Sequence, residues 1–267
     1  MTGIGGTRTQ ENTMDLAALN SATKYPSIPT YHQIDPKNGS LLDEVTAFDG
    51  DVILTEKVDG CNGRIVLMPD GDYFLGSREE LLYARGDRIE NPALGIVAAL
   101  KPVAEQLQPT EHGQIQVFFL EVYGRKIGAA AKQYTTGSAL GHRMFDIACI
   151  PLDVLDWPRE RISSWREAGG QSFCTEAVLQ RASAAEGVPL TPRLGTIPAH
   201  DLPSGIEDTA EFLAAQLPTT QAALDDGAAG RPEGIVLRSA DREVIAKARF
   251  QDYQRTLKRR ARQETSA

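Results

Sequence analysis

The stretch Asp51-Val52-Ile53-Leu54-Thr55-Glu56-Lys57-Val58-Asp59-Gly60-Cys61-Asn62-Gly63-Arg64-Ile65-Val66-Leu67 decides how the chain is read. An apolar run ends at Lys57, an Asp-Gly turn follows, and a second apolar run resumes within a few residues. That is the pattern of short strands separated by a tight connection. A lysine at the end of such a strand, beside an acid and a glycine that lets backbone approach a ligand, has a chemical use. It can attack phosphorus or a carbonyl if nearby cations or a metal depress its pKa. Taken alone, Lys-x-Asp-Gly is also an ordinary strand-turn sequence.

Outward from this stretch the chain alternates irregularly. DYFLGSR (72–78), QIQVFFLEVY (114–123) and HRMFDIACI (142–150) read as strands, and so do EGIVLRS (233–239) and EVIAKARF (243–250). Residues 92–107 carry apolar positions at helical spacing, with Asn91 as N-cap, Pro92 in the first turn and a break expected at Pro102. Residues 159–187 read as helix interrupted at Gly169-Gly170, 208–216 as a short helix and 218–232 as a polar loop. No regular βαβ alternation occurs, which favours an α+β domain of antiparallel sheets flanked by helices. Residues 1–23, rich in Gly, Thr, Ser and Asn, read as a mobile leader. The proline-bearing segment KYPSIPTYHQID (24–35) begins the ordered domain, which runs to residue 250. Residues 251–267 read as a basic helix or tail.

Composition narrows the function classes. With 267 residues, 41% hydrophobic and 24% charged, the chain is long enough for a sizeable core and too apolar for disorder. A net charge of -8 excludes a uniformly basic nucleic-acid coat but leaves room for a local patch. No apolar run approaches a membrane span, and three scattered cysteines without a CxxC pair suggest neither zinc nor a disulfide framework. The expectation is a reduced, cytoplasmic protein that does not meet a membrane. P-loop and GxSxG patterns are absent, and His32, His112, His142 and His200 match no metal spacing, so they read as structural or surface residues. Tyr123, Trp157 and Trp165 read as packing residues.

Further segments follow Lys57-Val58-Asp59-Gly60 in a recognisable order: Ser77-Arg78, Phe119-Leu120-Glu121-Val122-Tyr123-Gly124, Phe145-Asp146-Ile147, Glu233-Gly234-Ile235-Val236-Leu237-Arg238 and Lys247-Ala248-Arg249. Together they resemble the covalent nucleotidyltransferase superfamily of ligases and capping enzymes, and within it the RNA ligase 2-like group. The resemblance covers about residues 24–250. It implies an ATP-grasp-like ligase adenylation domain that uses ATP with Mg²⁺ or Mn²⁺. Lys57 would form a lysyl-AMP, the AMP would pass to a 5′-phosphate RNA end, and a 3′-hydroxyl end would displace it. Glu121 and Glu233 are the implied catalytic acids, holding the metal through water, and Lys247 is the implied catalytic cation. Glu56, Asp59, Gly60, Asn62, Arg78, Phe145, Lys247 and Arg249 are the implied nucleotide contacts, with Phe145 stacking on the base and Arg238 left as a structural residue. The basic tail, with Arg255, Lys258, Arg259 and Arg260, is a candidate grip on the RNA backbone.

Two departures stand out. Arg249 replaces the second lysine of the last motif, and arginine meets phosphate with a different geometry. Only 18 residues follow that motif, so no C-terminal accessory domain is expected and a separate RNA-binding or end-healing protein is an expected partner. A DNA ligase or a GTP-using capping-type enzyme is the alternative within the superfamily. Asn62 counts against it, because those relatives carry arginine there. A non-catalytic nucleic-acid-binding module is the alternative of another class, opposed by the intact Lys57, Glu121, Glu233 and Lys247.

Overall fold

A computed structural model of the chain describes residues 14–90, 95–109, 113–125, 127–228 and 230–265. The strands around Lys57, Asp51–Lys57 (β3) and Cys61–Leu67 (β4), form as expected, yet they do not pair with each other. The first belongs to a four-stranded sheet with Arg193–Pro198 (β11), Gly234–Ser239 (β12) and Ile245–Arg249 (β13), in the order β11-β3-β12-β13. The second joins a seven-stranded sheet with Tyr73–Ser77 (β5), Leu81–Ala84 (β6), Asp87–Arg88 (β7), Ile115–Gly124 (β8), Leu140–Ile150 (β9) and Ser172–Phe173 (β10). The order there is β10-β9-β8-β4-β5-β6-β7. Val58-Asp59-Gly60 is therefore a crossing from one sheet to the other. A small third sheet pairs His32–Ile34 (β1) with Leu41–Val45 (β2). Every pairing of named strands is antiparallel, so the expected α+β class holds.

Side chains two apart on a strand share a face, which is how one sheet serves two cores. In the large sheet Ile65, Leu67, Phe118 and Leu120 pack under helix Ile96–Ala104 (α2), while Val66, Val117 and Phe119 face helix Leu16–Ala22 (α1) and helix Arg159–Glu167 (α4). Covered on both faces, these strands read in sequence as nearly unbroken apolar runs. The four-stranded sheet buries Val52, Leu54, Ile235 and Leu237 against helix Ile206–Gln216 (α6) and helix Phe250–Thr265 (α7). The remaining helices are Ala131–Tyr134 (α3) and Glu176–Glu186 (α5), the latter capped by the Thr175 hydroxyl and closed by Gly187 in the left-handed region.

Two expectations change. The leader is not irregular throughout: α1 starts where Asp15 Oδ1 accepts from the Ala17 and Ala18 N–H groups, and it buries Ala18, Leu19 and Ala22. Small residues hid this helix, because three buried positions are too few for a periodic signal; residues 1–13 lie outside the described residues. Pro102 does not break α2, which continues to Ala104 with the proline inside it. Asn91 and Pro92 lie outside the described residues, and Gly95 occupies the N-cap. The interruption at Gly169-Gly170, the loop at 218–232 and the C-terminal helix are all present.

Candidate active site

The gap between the two sheets is a cavity of about 470 Å³. Because Val58-Asp59-Gly60 bridges the sheets, residues from both line it: Glu56, Lys57 and Glu233 from the smaller sheet side, Asn62 and Glu121 from the larger. Asp59, Gly60, Arg78, Phe145 and Lys247 complete the set of expected residues found there.

Register explains the grouping. Lys57 lies opposite Gly234, so the preceding Glu233 reaches the lysine, with Nζ to Oε2 at 2.5 Å. Asn62 lies opposite Glu121 on β8. Glu121 accepts from the Gly60 N–H at 3.0 Å, and its burial pushes the carboxyl up to about 8 against the pull of Lys57. Lys247 makes no ion pair among the described residues, and burial, with Arg249, Lys57 and Arg78 nearby, lowers its ammonium below the usual lysine range. The Glu121 and Glu233 carboxyl groups and the Lys57 and Lys247 amines thus line one pocket. Asn62 Oδ1 is a buried acceptor without a donor among the described residues.

Comparison with known proteins assigns the chain to a family. Residues 50–258 match the family described as RNA ligase. The chain belongs to that family. No curated protein sequence matches it. Among solved structures, a Naegleria gruberi RNA ligase variant without ligand superposes with a TM-score of 0.53 at 14% identity, covering 79% of this chain and 52% of that one. An archaeal ATP-dependent RNA ligase gives 0.52 at 18% identity, covering 86% and 49%. A Naegleria RNA ligase variant with ATP and Mn gives 0.51 at 15% identity, covering 88% and 62%. At such identities the likeness is one of fold, and this RNA ligase family member spans about half the length of several of these structures.

Several expected site residues are engaged elsewhere. The Glu56 carboxylate accepts from the Thr220 hydroxyl and the Gln221 N–H, so it tethers the 218–232 loop. Alternation along β3 sends its carboxylate away from the Lys57 side chain, although the residue still borders the cavity. Arg249 does not line the cavity: it pairs with Asp252 at 2.7 Å, which accounts for arginine at this position. Arg255 is held by Asp252 and the Gly39 carbonyl, and Arg260 by Asp43 and Glu207. These two arginines dock α7 onto the body, while Lys258 and Arg259 are exposed.

Other residues support the site without having been singled out. The Tyr134 hydroxyl accepts the Asp59 N–H at 2.6 Å and pins the crossing turn. Arg64 is fully buried, donates to the Arg78 carbonyl at 3.2 Å and to Asn20, and so ties the Arg78 loop to α1. Asp146 accepts from Tyr25 at 2.9 Å and Arg242 at 2.6 Å, and Arg238 donates to the Phe145 carbonyl at 3.1 Å. Tyr25 packs edge-on to Phe145, with centroids 5.0 Å apart, and both line the cavity. The FDI segment offered a signal for Asp146 and the KYPSIPTYHQID segment one for Tyr25, while Tyr134 had none. His32 is structural as expected, buried between the Tyr253 hydroxyl and the Ser204 carbonyl, and His112 lies outside the described residues.

Proposed function

We propose that the protein joins RNA ends with ATP, through a lysyl-AMP on Lys57 and then an adenylylated 5′-phosphate that a 3′-hydroxyl displaces. The observation that carries this reading is the meeting of Lys57, Glu121, Glu233 and Lys247 in one cleft between the sheets. The unpartnered Asn62 Oδ1, an acceptor that a sugar hydroxyl would satisfy, and the Phe145 ring, an apolar wall for a base, support the reading. The oxygen donors Glu121 and Glu233 suit a hard divalent cation that keeps waters. No group of three or more His, Cys, Asp and Glu gathers into a closed cage among the described residues. Such a cation would supply positive charge against the reacting phosphate.

In the free protein the Lys57 amine is tied to the Glu233 carboxylate. Attack on the α-phosphorus requires the neutral amine, so this pair must open as the nucleotide enters. Lys247 stays as the cation that meets charge developing on the phosphate. The test is incubation of a labelled 5′-phosphate RNA with ATP and Mg²⁺. Joined or circularised product supports the reading, and its absence with every RNA end tried, alongside joining of DNA alone, would move the protein to the DNA-sealing branch.

A further inference from the structure

Past Arg78 the cleft continues into a second cavity of about 400 Å³ that the adenylylation chemistry leaves unused. Tyr25, Ser27, Arg78 and Glu79 belong to both cavities, so the two are continuous. Lys24, Arg78 and Arg166 bring three cations to it. Arg166 is only 12% exposed and is fixed by the Ser21 carbonyl at 2.5 Å, with Glu167 at 3.5 Å. Glu79 bridges Lys24 at 2.9 Å and Arg78 at 3.7 Å while remaining 67% exposed. So open an ion pair contributes little and is easily exchanged. The Glu79 carboxylate stands where an incoming oxyanion would satisfy both cations, and a mostly polar wall suits a phosphate better than a base.

We propose that this second cavity holds a backbone phosphodiester of the RNA strand whose end reacts beside Lys57, one linkage removed from the joint. The proposal rests on the RNA-joining reading and names where that substrate is gripped. Lys24 and the exposed carboxylate of Glu79 act as a gate of opposite charges, with Arg166 a fixed third contact. The grip is by charge, so it carries no sequence preference.

The test compares the full-length wild type with Lys24→Met and Glu79→Gln, measuring equilibrium binding of 5′-phosphate single-stranded RNA against salt and, separately, the ATP dependence of lysyl-AMP formation. Lys24→Met weakens RNA binding several-fold, reduces the salt slope by roughly 0.7 and leaves ATP half-saturation unchanged. Glu79→Gln tightens binding, an opposite sign that a general loss of folding would not produce. Methylphosphonate at the linkage next to the donor's 5′-phosphate, or next to the acceptor's 3′-hydroxyl, tells the strands apart. The neutral linkage that erases the difference between wild type and Lys24→Met marks the strand in the cavity. If neither erases it, or if Lys24→Met binds RNA as the wild type does, the proposal is overturned. A raised ATP half-saturation with unchanged RNA binding would also overturn it and assign the cavity to the nucleotide's polyphosphate. Binding is read without turnover, so a wild type that binds RNA but never joins it counts against the proposed function alone.

Discussion

Glu121 carries the strongest pH signature of the carboxyl groups that line the cleft. Its carboxyl is raised from the ordinary 4.5 to about 8 by burial. Between those values the native state holds a proton that the unfolded chain has released, so this residue's contribution to stability falls as pH rises from 4.5 to 8. Thermal melts across that window should show the advantage of wild type over Glu121→Gln shrinking with pH, then levelling above it. A constant difference would contradict the assigned environment. The identity of Glu121 was legible in FLEVYG, but its hydrogen bond to Gly60 was not, because it depends on register between β4 and β8. Glu56 shows the converse: its place beside Lys57 suggested a ligand contact, and strand alternation sends its carboxylate to Thr220 instead.

At the scale of the element, the three-residue crossing between β3 and β4 sets the reach of Lys57. A Cβ on Gly60 would lie 2.3 Å from the Val122 carbonyl oxygen, so any larger residue forces the turn away from β8. Misplacement by about an ångström costs on the order of a hundredfold in rate, and Gly60→Ala should slow lysyl-AMP formation by that much. Tyr134→Phe, which strands the Asp59 N–H, should slow it less while the protein stays folded by circular dichroism. A wild-type rate in both variants would show that the turn is not positioned in this way. Strands β3, β4, β5, β8, β9, β12 and β13 and the longer helices could be read from their apolar patterns, whereas the short strands β1, β2, β6, β7 and β10 and the strand β11 could not. Helix α1 could not, since its burial rests on Ala18, Leu19 and Ala22, small or isolated residues whose partners lie on α4 and the far face of the large sheet.

At the scale of the whole molecule, the cleft exists only while the two sheets keep their separation, and a buried charge network spans it. Arg238 on β12 reaches the Phe145 carbonyl, lies 3.7 Å from Asp146 on β9 and 3.5 Å from Glu176 on α5. Its side chain is 2% exposed and Asp146 is fully buried. Removing Arg238 leaves the Phe145 carbonyl without its donor and Asp146 and Glu176 with only Arg242 and Arg193, so Arg238→Met should cost about 1–3 kcal/mol in denaturant unfolding. Adding Asp146→Asn should deepen the loss, by less than the sum of the two single losses, because Arg242 then gives up its buried carboxylate partner. Additive losses would show the residues to be uncoupled. EGIVLR and FDI were visible as separate segments. Their contact across the cleft was not, because it joins positions about ninety residues apart that only the sheet order brings together.

The central claim is that Lys57 accepts AMP from ATP. Incubation with ATP labelled at the α-phosphate and Mg²⁺, followed by a denaturing gel, tests it most directly when wild type and Lys57→Ala are run side by side. The account predicts label on the wild type, its release by added pyrophosphate, and none on Lys57→Ala. No label on a wild type shown to be free of pre-bound AMP, or equal label on both proteins, would contradict it.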